Sequence, residues 1–97
     1  MAYAIVLAPE AVEDFRSLKA NVRAIVRAAL ETYLRHEPAK TSRSRIKRLR
    51  RLDRPQYRLR VDDIRVFYDV SGSTVEILAV VSKAEADRWL ARHAKPE

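Results

Sequence analysis

The feature that most constrains the fold is the stretch PQYRLRVDDIRVFYDV, residues 55–70. Apolar residues occupy every second position on both sides of Asp62 and Asp63. Because successive side chains of a strand point to opposite faces, this alternation predicts two strands, 57–61 and 64–70, each with one apolar face. The Asp-Asp pair predicts a two-residue hairpin turn. It is a weaker turn signal than Asn-Gly or Asp-Gly, so a longer turn is the alternative.

A two-residue turn places Arg60 directly across from Arg65, and Arg58 across from Phe67. Like charges that face each other destabilise a sheet, so their retention indicates a functional need, such as binding an anion like phosphate. The alternative is a solvated face on which three nearby aspartates neutralise the arginines. From residue types alone, the solvated face is the more common case.

Basic residues are concentrated in one part of the chain. The net charge is +7, with 20 Lys and Arg against 13 acidic residues, and ten of the 20 lie between Lys40 and Arg60. Asp53 is the only acidic residue in that interval. A focused, arginine-rich patch is typical of proteins that bind phosphate backbones. An acidic protein partner is the alternative.

Composition argues against several other classes of function. The 97 residues, 47% of them hydrophobic, predict one domain spanning residues 1–97. There is no cysteine, so disulfides, thiolate metal sites and a cysteine nucleophile are excluded. The sequence has neither a membrane-spanning run nor a signal-peptide pattern, so we expect a cytoplasmic protein without a membrane partner. His36 and His93 lack carboxylates at ligand spacing, and we expect neither a metal nor another cofactor.

The first half of the chain predicts a strand followed by a helical hairpin. Residues 2–7 read as a short strand, and Pro9 suits the first turn of a helix that ends near residues 18–20. Asn21 is a suitable N-cap for a second, longer helix, whose apolar positions continue to Leu34 and which Pro38 stops. Residues 46–52 are arginine-dense and short, and we favour a strand over a helical turn there.

The second half predicts further strands and a last helix. Residues 74–81 are apolar on both faces, with Val75, Ile77, Ala79 and Val81 assigned to one face. Ser82 and Glu85 form a capping-box pattern for a helix that starts at Lys83, and residues 95–97 read as a frayed tail. The predicted fold is α+β: a twisted antiparallel sheet with an N-terminal helical hairpin on one face, the other face partly open, and a short C-terminal helix.

This order of elements carries a resemblance to a known family. A strand, a two-helix hairpin, a basic segment ending in IKRL, the motif YRLRVDDIRVFY at residues 57–68 and a Val-rich strand together resemble the RelE/ParE superfamily of toxins from type II toxin–antitoxin pairs. The resemblance covers residues 3 to 90 and is closer to RelE than to ParE. It implies a small, acidic, partly helical antitoxin as partner.

The resemblance implies one of two activities. RelE-like members are ribosome-dependent endonucleases that cut mRNA, whereas ParE-like members bind and poison DNA gyrase without nuclease chemistry. In the RelE-like reaction the ribose 2′-hydroxyl attacks the adjacent phosphate without a metal, so cationic groups must stabilise the phosphate. By resemblance the catalytic residues are Arg58, Arg60, Arg65 and Lys83. The expected RNA-binding residues are Arg45, Lys47, Arg48, Arg50, Arg51, Arg54 and Trp89.

Two departures from the family pattern bear on this assignment. The central-strand positions, often lysines in RelE-like members, are Arg58 and Arg60, which hold their protons too tightly to act as bases. The usual terminal tyrosine is replaced by Trp89, which either stacks on a base or packs in the core. Three alternatives follow: a nuclease with Lys83 as proton shuttle, a nuclease that works by phosphate stabilisation, and a member without cleavage. A plain RNA-binding domain is a weaker reading.

Overall fold

The alternating stretch forms the centre of a mixed sheet. The structure is a computed structural model that describes residues 2–97. Five strands belong to the main sheet: β1 (Ala4–Leu7), β2 (Ile46–Arg48), β4 (Tyr57–Val61), β5 (Ile64–Ser71) and β6 (Thr74–Ser82). Their spatial order is β1-β6-β5-β4-β2. A second, two-stranded sheet pairs β3 (Leu52–Arg54) with β7 (Lys95–Pro96).

The β4–β5 hairpin has the predicted two-residue turn. Val61 pairs with Ile64 and Arg60 with Arg65, so only Asp62 and Asp63 lie between the strands. Asp62 has a φ of +51°, the left-handed conformation that a tight hairpin turn requires and that aspartate tolerates better than most residues. The predicted strands 57–61, 64–70 and 74–81 are confirmed to within one residue at each end, and their antiparallel pairing is confirmed.

The N-terminal helices cover one face of the sheet. They are α1 (Pro9–Ser17) and α2 (Ala20–Ala29), which continues as a π-helical turn over Leu30–Leu34. The predicted cap at Asn21 is wrong: Lys19 is the N-cap, because the chain is extended at residues 18 and 19 and turns helical at once. Arg23 then donates to the carbonyl oxygen of Leu18 at 2.8 Å, which closes the link. No helix within residues 2–97 is long and apolar enough to cross a membrane.

The main core lies between these helices and the sheet. Side chains from the helices and from β4, β5 and β6 are fully buried there, among them Val26, Leu34, Leu59, Val66 and Ile77. The apolar residues of the helical stripes and of the alternating strands therefore pack in one cluster. The predicted α+β architecture is confirmed.

The opposite face of the sheet carries α3 (Lys83–His93). Phe67, Ala79 and Ala86 form a second, smaller core cluster with Trp89 packed against it. The helix begins at Lys83 as predicted, but the side chain of Ser82 forms no capping hydrogen bond. Instead, the backbone N–H of Lys83 donates to the carbonyl oxygen of Asp63 at 2.8 Å, so the start of α3 is fastened to the hairpin turn.

Three elements differ from the sequence-based expectations. β1 pairs in parallel with β6, so the sheet is mixed rather than wholly antiparallel. Residues 46–52 are not one strand, because Arg51, with a φ of +63°, turns the chain between β2 and β3. The expected frayed tail is wrong: β7 pairs with β3, and the N–H of Glu97 donates to the carbonyl oxygen of Arg51 at 3.2 Å.

A bulge in β6 changes which face its side chains occupy. Phe67 pairs with Ala79 and Tyr68 with Ile77, so Leu78 has no partner residue on β5. Beyond the bulge Val80 faces the helical hairpin while Ala79 faces α3, which corrects the expectation that residues 75, 77, 79 and 81 share a face. Asp14 of α1 contacts the bulge, since its Oδ2 accepts a hydrogen bond from the N–H of Val80 at 3.0 Å.

The hydroxyl of Tyr68 ties the sheet to the end of the helical hairpin. Tyr68 is fully buried, and its hydroxyl donates to the carbonyl oxygen of Pro38 at 2.6 Å. Replacing Tyr68 with Phe leaves that buried carbonyl unpaired, so we expect the free energy of unfolding in urea to fall by about 1–2 kcal/mol. Tyr57→Phe is the control, because its hydroxyl forms no hydrogen bond within residues 2–97, and should be neutral. Equal effects of the two changes would contradict this role of the Tyr68 hydroxyl.

Asp14 should titrate above its ordinary range. Burial raises the pKa of the Asp14 carboxyl, and the hydrogen bond from Val80 offsets only part of that rise. Because the folded-state pKa is raised, ionised Asp14 lowers the free energy of unfolding at neutral pH. This destabilisation should diminish as the pH falls from the folded-state pKa of Asp14 toward about 3.9, the pKa of an aspartate in the unfolded chain.

Carbon-13 NMR of the carboxyl groups can measure this titration. We expect the Asp14 midpoint to lie above about 3.9. Glu31 should move the opposite way, because the hydrogen bond from Arg35 lowers the pKa of that carboxyl. An Asp14 midpoint at or below the ordinary aspartate value would contradict the burial argument.

Candidate anion-binding site

Three neighbouring strands bring basic side chains to the same face of the sheet. Lys47 on β2 pairs with Arg58 on β4, and Arg60 on β4 pairs with Arg65 on β5. All four occupy positions that alternate with buried residues of the hairpin-side core, so they belong to the face that also carries α3. Adjacent strands are about 4.8 Å apart, so the positive charges of each pair lie side by side on neighbouring strands. We call Lys47, Arg58 and Arg60 the cationic row.

No carboxylate within residues 2–97 forms an ion pair with the strand arginines at 58, 60 and 65. Asp69, a candidate for neutralising them, instead accepts from the N–H of Gln56 at 2.8 Å and lies 3.6 Å from Arg54. Asp62 and Asp63 are exposed at the turn. The positive charge of the cationic row is therefore not cancelled by the protein's own acidic side chains.

Arg58 is the most constrained member of the row. Burial lowers the pKa of its guanidinium, and the neighbouring charges of Arg65 and Arg60 lower it further. Its Nε is buried and has no hydrogen-bond acceptor within the described residues. A desolvated cation with like-charged neighbours is stabilised by an incoming anion, because the anion supplies both the missing opposite charge and an acceptor.

Arg65 has a different environment from Arg58 and Arg60. Its side chain is only 8% exposed, and its Nη1 donates to the carbonyl oxygens of Asp62 at 2.9 Å and of Ile64 at 3.0 Å. The guanidinium thus holds the hairpin turn. The structure places Arg65 beside the row, as the sequence pairing predicts, and directs its Nη1 to the backbone.

Trp89 packs against the smaller core cluster and is partly buried. Its ring stacks on Phe67 with centroids 5.0 Å apart and an interplanar angle of 7°, and the ring of His93 lies 5.1 Å away on α3. This packing favours the core alternative for Trp89, and its role in RNA binding stays a prediction. Phe67 pairs directly with Arg58, so this stack makes α3 one wall of the site.

The remaining basic residues divide into two groups. Arg45 and Arg48 lie at the β2 edge, where their guanidinium groups cover the rings of Tyr33 at 4.8 Å and Tyr57 at 5.3 Å. The other three, like Arg45 and Arg48, lie outside the cationic row. Arg50 and Arg51 are exposed at the β2–β3 turn, and Arg54 is paired with Glu76 at 3.2 Å.

Lys83 lies at the first position of α3, with its side chain exposed. Ser82, the residue before it, pairs with Ile64, so Lys83 is near the hairpin turn rather than near Arg58. Lys47 is the lysine that pairs with Arg58. The sequence indicates a short strand here, because the basic residues Arg45 and Lys47 flank the apolar Ile46. A strand of three residues is too short for the sequence to predict which residues of β4 it pairs with.

No group of three or more His, Asp or Glu side chains within residues 2–97 is arranged to hold a metal ion. The basic side chains on the α3 face of the sheet are guanidinium and ammonium groups. Such groups bind oxyanions, and arginine can do so with two parallel hydrogen bonds.

Known proteins that resemble this chain share its fold. The family model for the ParE toxin of the type II toxin–antitoxin system parDE matches residues 5–87. A chain of the toxin–antitoxin complex RelBE2 from Mycobacterium tuberculosis is similar, with a TM-score of 0.69 and 24% identity over 84% of this chain and 99% of that chain. A RelE mutant from E. coli in the free state has a TM-score of 0.69 and 24% identity, covering 94% and 93%. No curated protein matches the sequence.

A third structure extends the likeness to archaea. A chain of the RelE–RelB complex from Pyrococcus horikoshii has a TM-score of 0.64 and 24% identity over 86% of this chain and 97% of that chain. At these identities the structures establish a shared fold and do not carry over an activity.

The fold and the basic face define a small toxin-like domain of the RelE/ParE superfamily. Because the matched family model spans most of its length, the chain belongs to the ParE toxin family of type II toxin–antitoxin systems. The expectation of a RelE/ParE superfamily toxin with a RelE-like fold is confirmed.

Removing the charge of Arg58 should separate stability from anion binding. Arg58→Gln relieves repulsion across the strands, so we expect the free energy of unfolding in urea to stay level or rise by about 0.5 kcal/mol. Binding to heparin should weaken, seen as elution at lower salt. Arg92→Gln, an exposed change on α3 with the same loss of charge, is the matched control. Elution of both variants at the same salt concentration would show that only net charge matters.

Proposed function

We propose that this toxin inhibits translation by cutting mRNA on the ribosome. The observation that carries the proposal is the cationic row, in which Arg58 is partly desolvated, flanked by like charges and unpaired with any carboxylate of residues 2–97. Like charges side by side destabilise the sheet. A bound phosphodiester of the target offsets this repulsion, because it supplies the negative charge that the protein lacks there.

The proposed reaction requires no metal. The ribose 2′-hydroxyl attacks the adjacent phosphorus, the bond to the 5′ oxygen breaks, and the products are a 2′,3′-cyclic phosphate and a 5′-hydroxyl. The proton lost by the 2′-hydroxyl and the proton gained by the 5′ oxygen must both be transferred. Arg58 and Arg60 stabilise the charge that develops on the phosphate oxygens. Arg65 acts as a positioning residue, because its guanidinium holds the turn between the two strands.

Proton transfer falls to lysine or to the ribosome. Arg58 and Arg60 retain their protons, so they cannot serve as bases. Lys47 pairs with Arg58, and Lys83 lies near the hairpin turn; both carry an ammonium group that can exchange a proton.

The proposed cellular partner is a small, acidic, partly helical antitoxin. Structures similar to this one are RelB–RelE complexes from Methanococcus jannaschii and Pyrococcus horikoshii. The net charge of +7 offers such a chain electrostatic complementarity. We place the toxin in the cytoplasm, where ribosomes and mRNA are available to it.

Inhibition of DNA gyrase without RNA cleavage is the second candidate. Two observations favour it: the buried guanidinium of Arg65 is already hydrogen-bonded, and Trp89 is stacked on Phe67. The match to the ParE toxin family points the same way. In this case the cationic row would bind a macromolecular surface and perform no chemistry.

Primer extension on mRNA from cells that express the toxin distinguishes the two. Cleavage predicts new 5′ ends at fixed positions within codons, and Arg58→Gln should reduce them at least tenfold because phosphate stabilisation is lost. Arg92→Gln should cut like the unaltered toxin.

The opposite result has its own signature. Intact transcripts together with double-strand DNA breaks would refute the nuclease and support gyrase inhibition. If Arg58→Gln still cuts at the same codon positions to the same extent, the toxin is a nuclease, but the cationic row takes no part in its mechanism.

A further inference from the structure

A second site adjoins the cationic row at the edge of the sheet. A cavity of about 270 Å³ opens where the end of the helical hairpin meets β2. Its wall contains one aromatic ring, one guanidinium and several hydroxyls, with Tyr33, Ser42 and Arg45 among the lining residues. It also contains an ion pair between Lys40 and Glu37 at 3.8 Å. This combination of a planar stack with hydrogen-bonding groups at its rim is suited to a flat polar ring.

One wall of the cavity is a cation–π pair formed by Arg45 and Tyr33. The guanidinium of Arg45 lies over the ring of Tyr33, with its carbon 4.8 Å from the ring centroid. In this cation–π contact the side chain of Arg45 is partly exposed. Unpaired nucleobases stack on arginine planes and on aromatic rings in proteins that bind single-stranded RNA.

The loop that carries Arg45 is already ordered for binding. The Ser42 Oγ accepts hydrogen bonds from the N–H groups of Arg45 at 3.0 Å and Ile46 at 3.3 Å, and the Ser42 N–H donates to the carbonyl oxygen of Ile46 at 2.9 Å. These three bonds close a compact turn. A ligand that enters the cavity therefore meets a preformed wall and loses little affinity to ordering of the loop.

Arg45 also links the cavity to the cationic row. The N–H of Arg60 donates to the carbonyl oxygen of Arg45 at 2.9 Å, and the Nη1 of Arg45 lies 3.4 Å from the carbonyl oxygen of Arg60. The two residues are thus neighbours on adjacent strands, about 5 Å apart. Tyr33 and Ile46 belong to the hairpin-side core, so the cavity opens on that side of the sheet. An RNA that lies on the cationic row reaches it by passing around the β2 edge.

We propose that this cavity is a subsite for one unpaired nucleobase of an RNA whose phosphates lie on the cationic row. The proposal rests on RNA being the target of the toxin and adds a second point of contact. Arg45 and Tyr33 supply the stacking surface, and the hydroxyls and Glu37 meet the polar edge of the base. The subsite would give the toxin a preference for RNA with an unstacked base at one fixed position.

An abasic scan of a short RNA tests the subsite directly. A fluorescein-labelled ten-nucleotide single-stranded RNA is bound to the full chain, and an abasic residue is moved through the RNA one position at a time. We expect one position to lose about tenfold in affinity, the usual contribution of a single base–aromatic stack. The other positions should change little, because their phosphates remain in place.

Substitutions assign that loss to the cavity. Arg45→Lys keeps the charge but removes the plane, so the intact RNA should bind about tenfold more weakly and the abasic position should cost nothing further. Arg43→Lys, an exposed arginine of the same loop outside the cavity, is the matched control and should leave the scan unchanged. Tyr33→Phe preserves the ring and should behave like the unaltered protein.

Each outcome bears on a different claim. A flat scan, or an abasic loss that survives Arg45→Lys, would overturn the subsite while leaving the phosphate contacts intact. Failure to bind the RNA at all would overturn it too. A position-specific loss in a toxin that leaves cellular transcripts uncut would support the subsite and refute the nuclease, so the two proposals fail separately.

Discussion

The left-handed backbone of Asp62 is the constraint on which the rest of this structure depends. It closes the hairpin in two residues, and that closure sets the pairing of β4 with β5. A longer turn would have shifted the pairing between the strands and moved the arginines out of line. The same turn anchors two other parts of the molecule, because its carbonyl oxygens accept hydrogen bonds from Arg65 and from the backbone at the start of α3.

Much of the architecture followed from periodicity, and the departures share a physical cause. Alternation specifies which residues share a face, so the hairpin and its register could be predicted from residues 57–70. It does not specify strand direction, and so β1 was not recognised as the parallel neighbour of β6. Nor does it reveal pairings between short, distant segments, as with β3 and β7, which depend on tertiary contacts rather than on local pattern.

The site was predictable in its charges and less so in its geometry. The sequence shows that Arg58, Arg60 and Arg65 lie near one another, because strand pairing follows from the turn. It does not show that Arg65 is turned toward backbone carbonyls, since side-chain direction depends on what else is buried nearby. The contacts of Lys47 with β4 and of Arg45 with Tyr33 could not be predicted either, because each joins residues remote in sequence.

The short pairing of β3 with β7 has a consequence for how the arginine-rich turn is presented. The chain beyond α3 crosses back to residues 51–54, where Glu97 donates to the carbonyl oxygen of Arg51. The β2–β3 turn is thereby fixed on both sides, because β2 pairs with β4 and β3 pairs with β7. This pairing reduces the conformational freedom of the turn and of its exposed guanidinium groups. A cargo fused after residue 97 would emerge beside this turn, whereas cargo attached ahead of β1 would emerge at the far edge of the sheet, so the two ends of this domain are not equivalent places for a label.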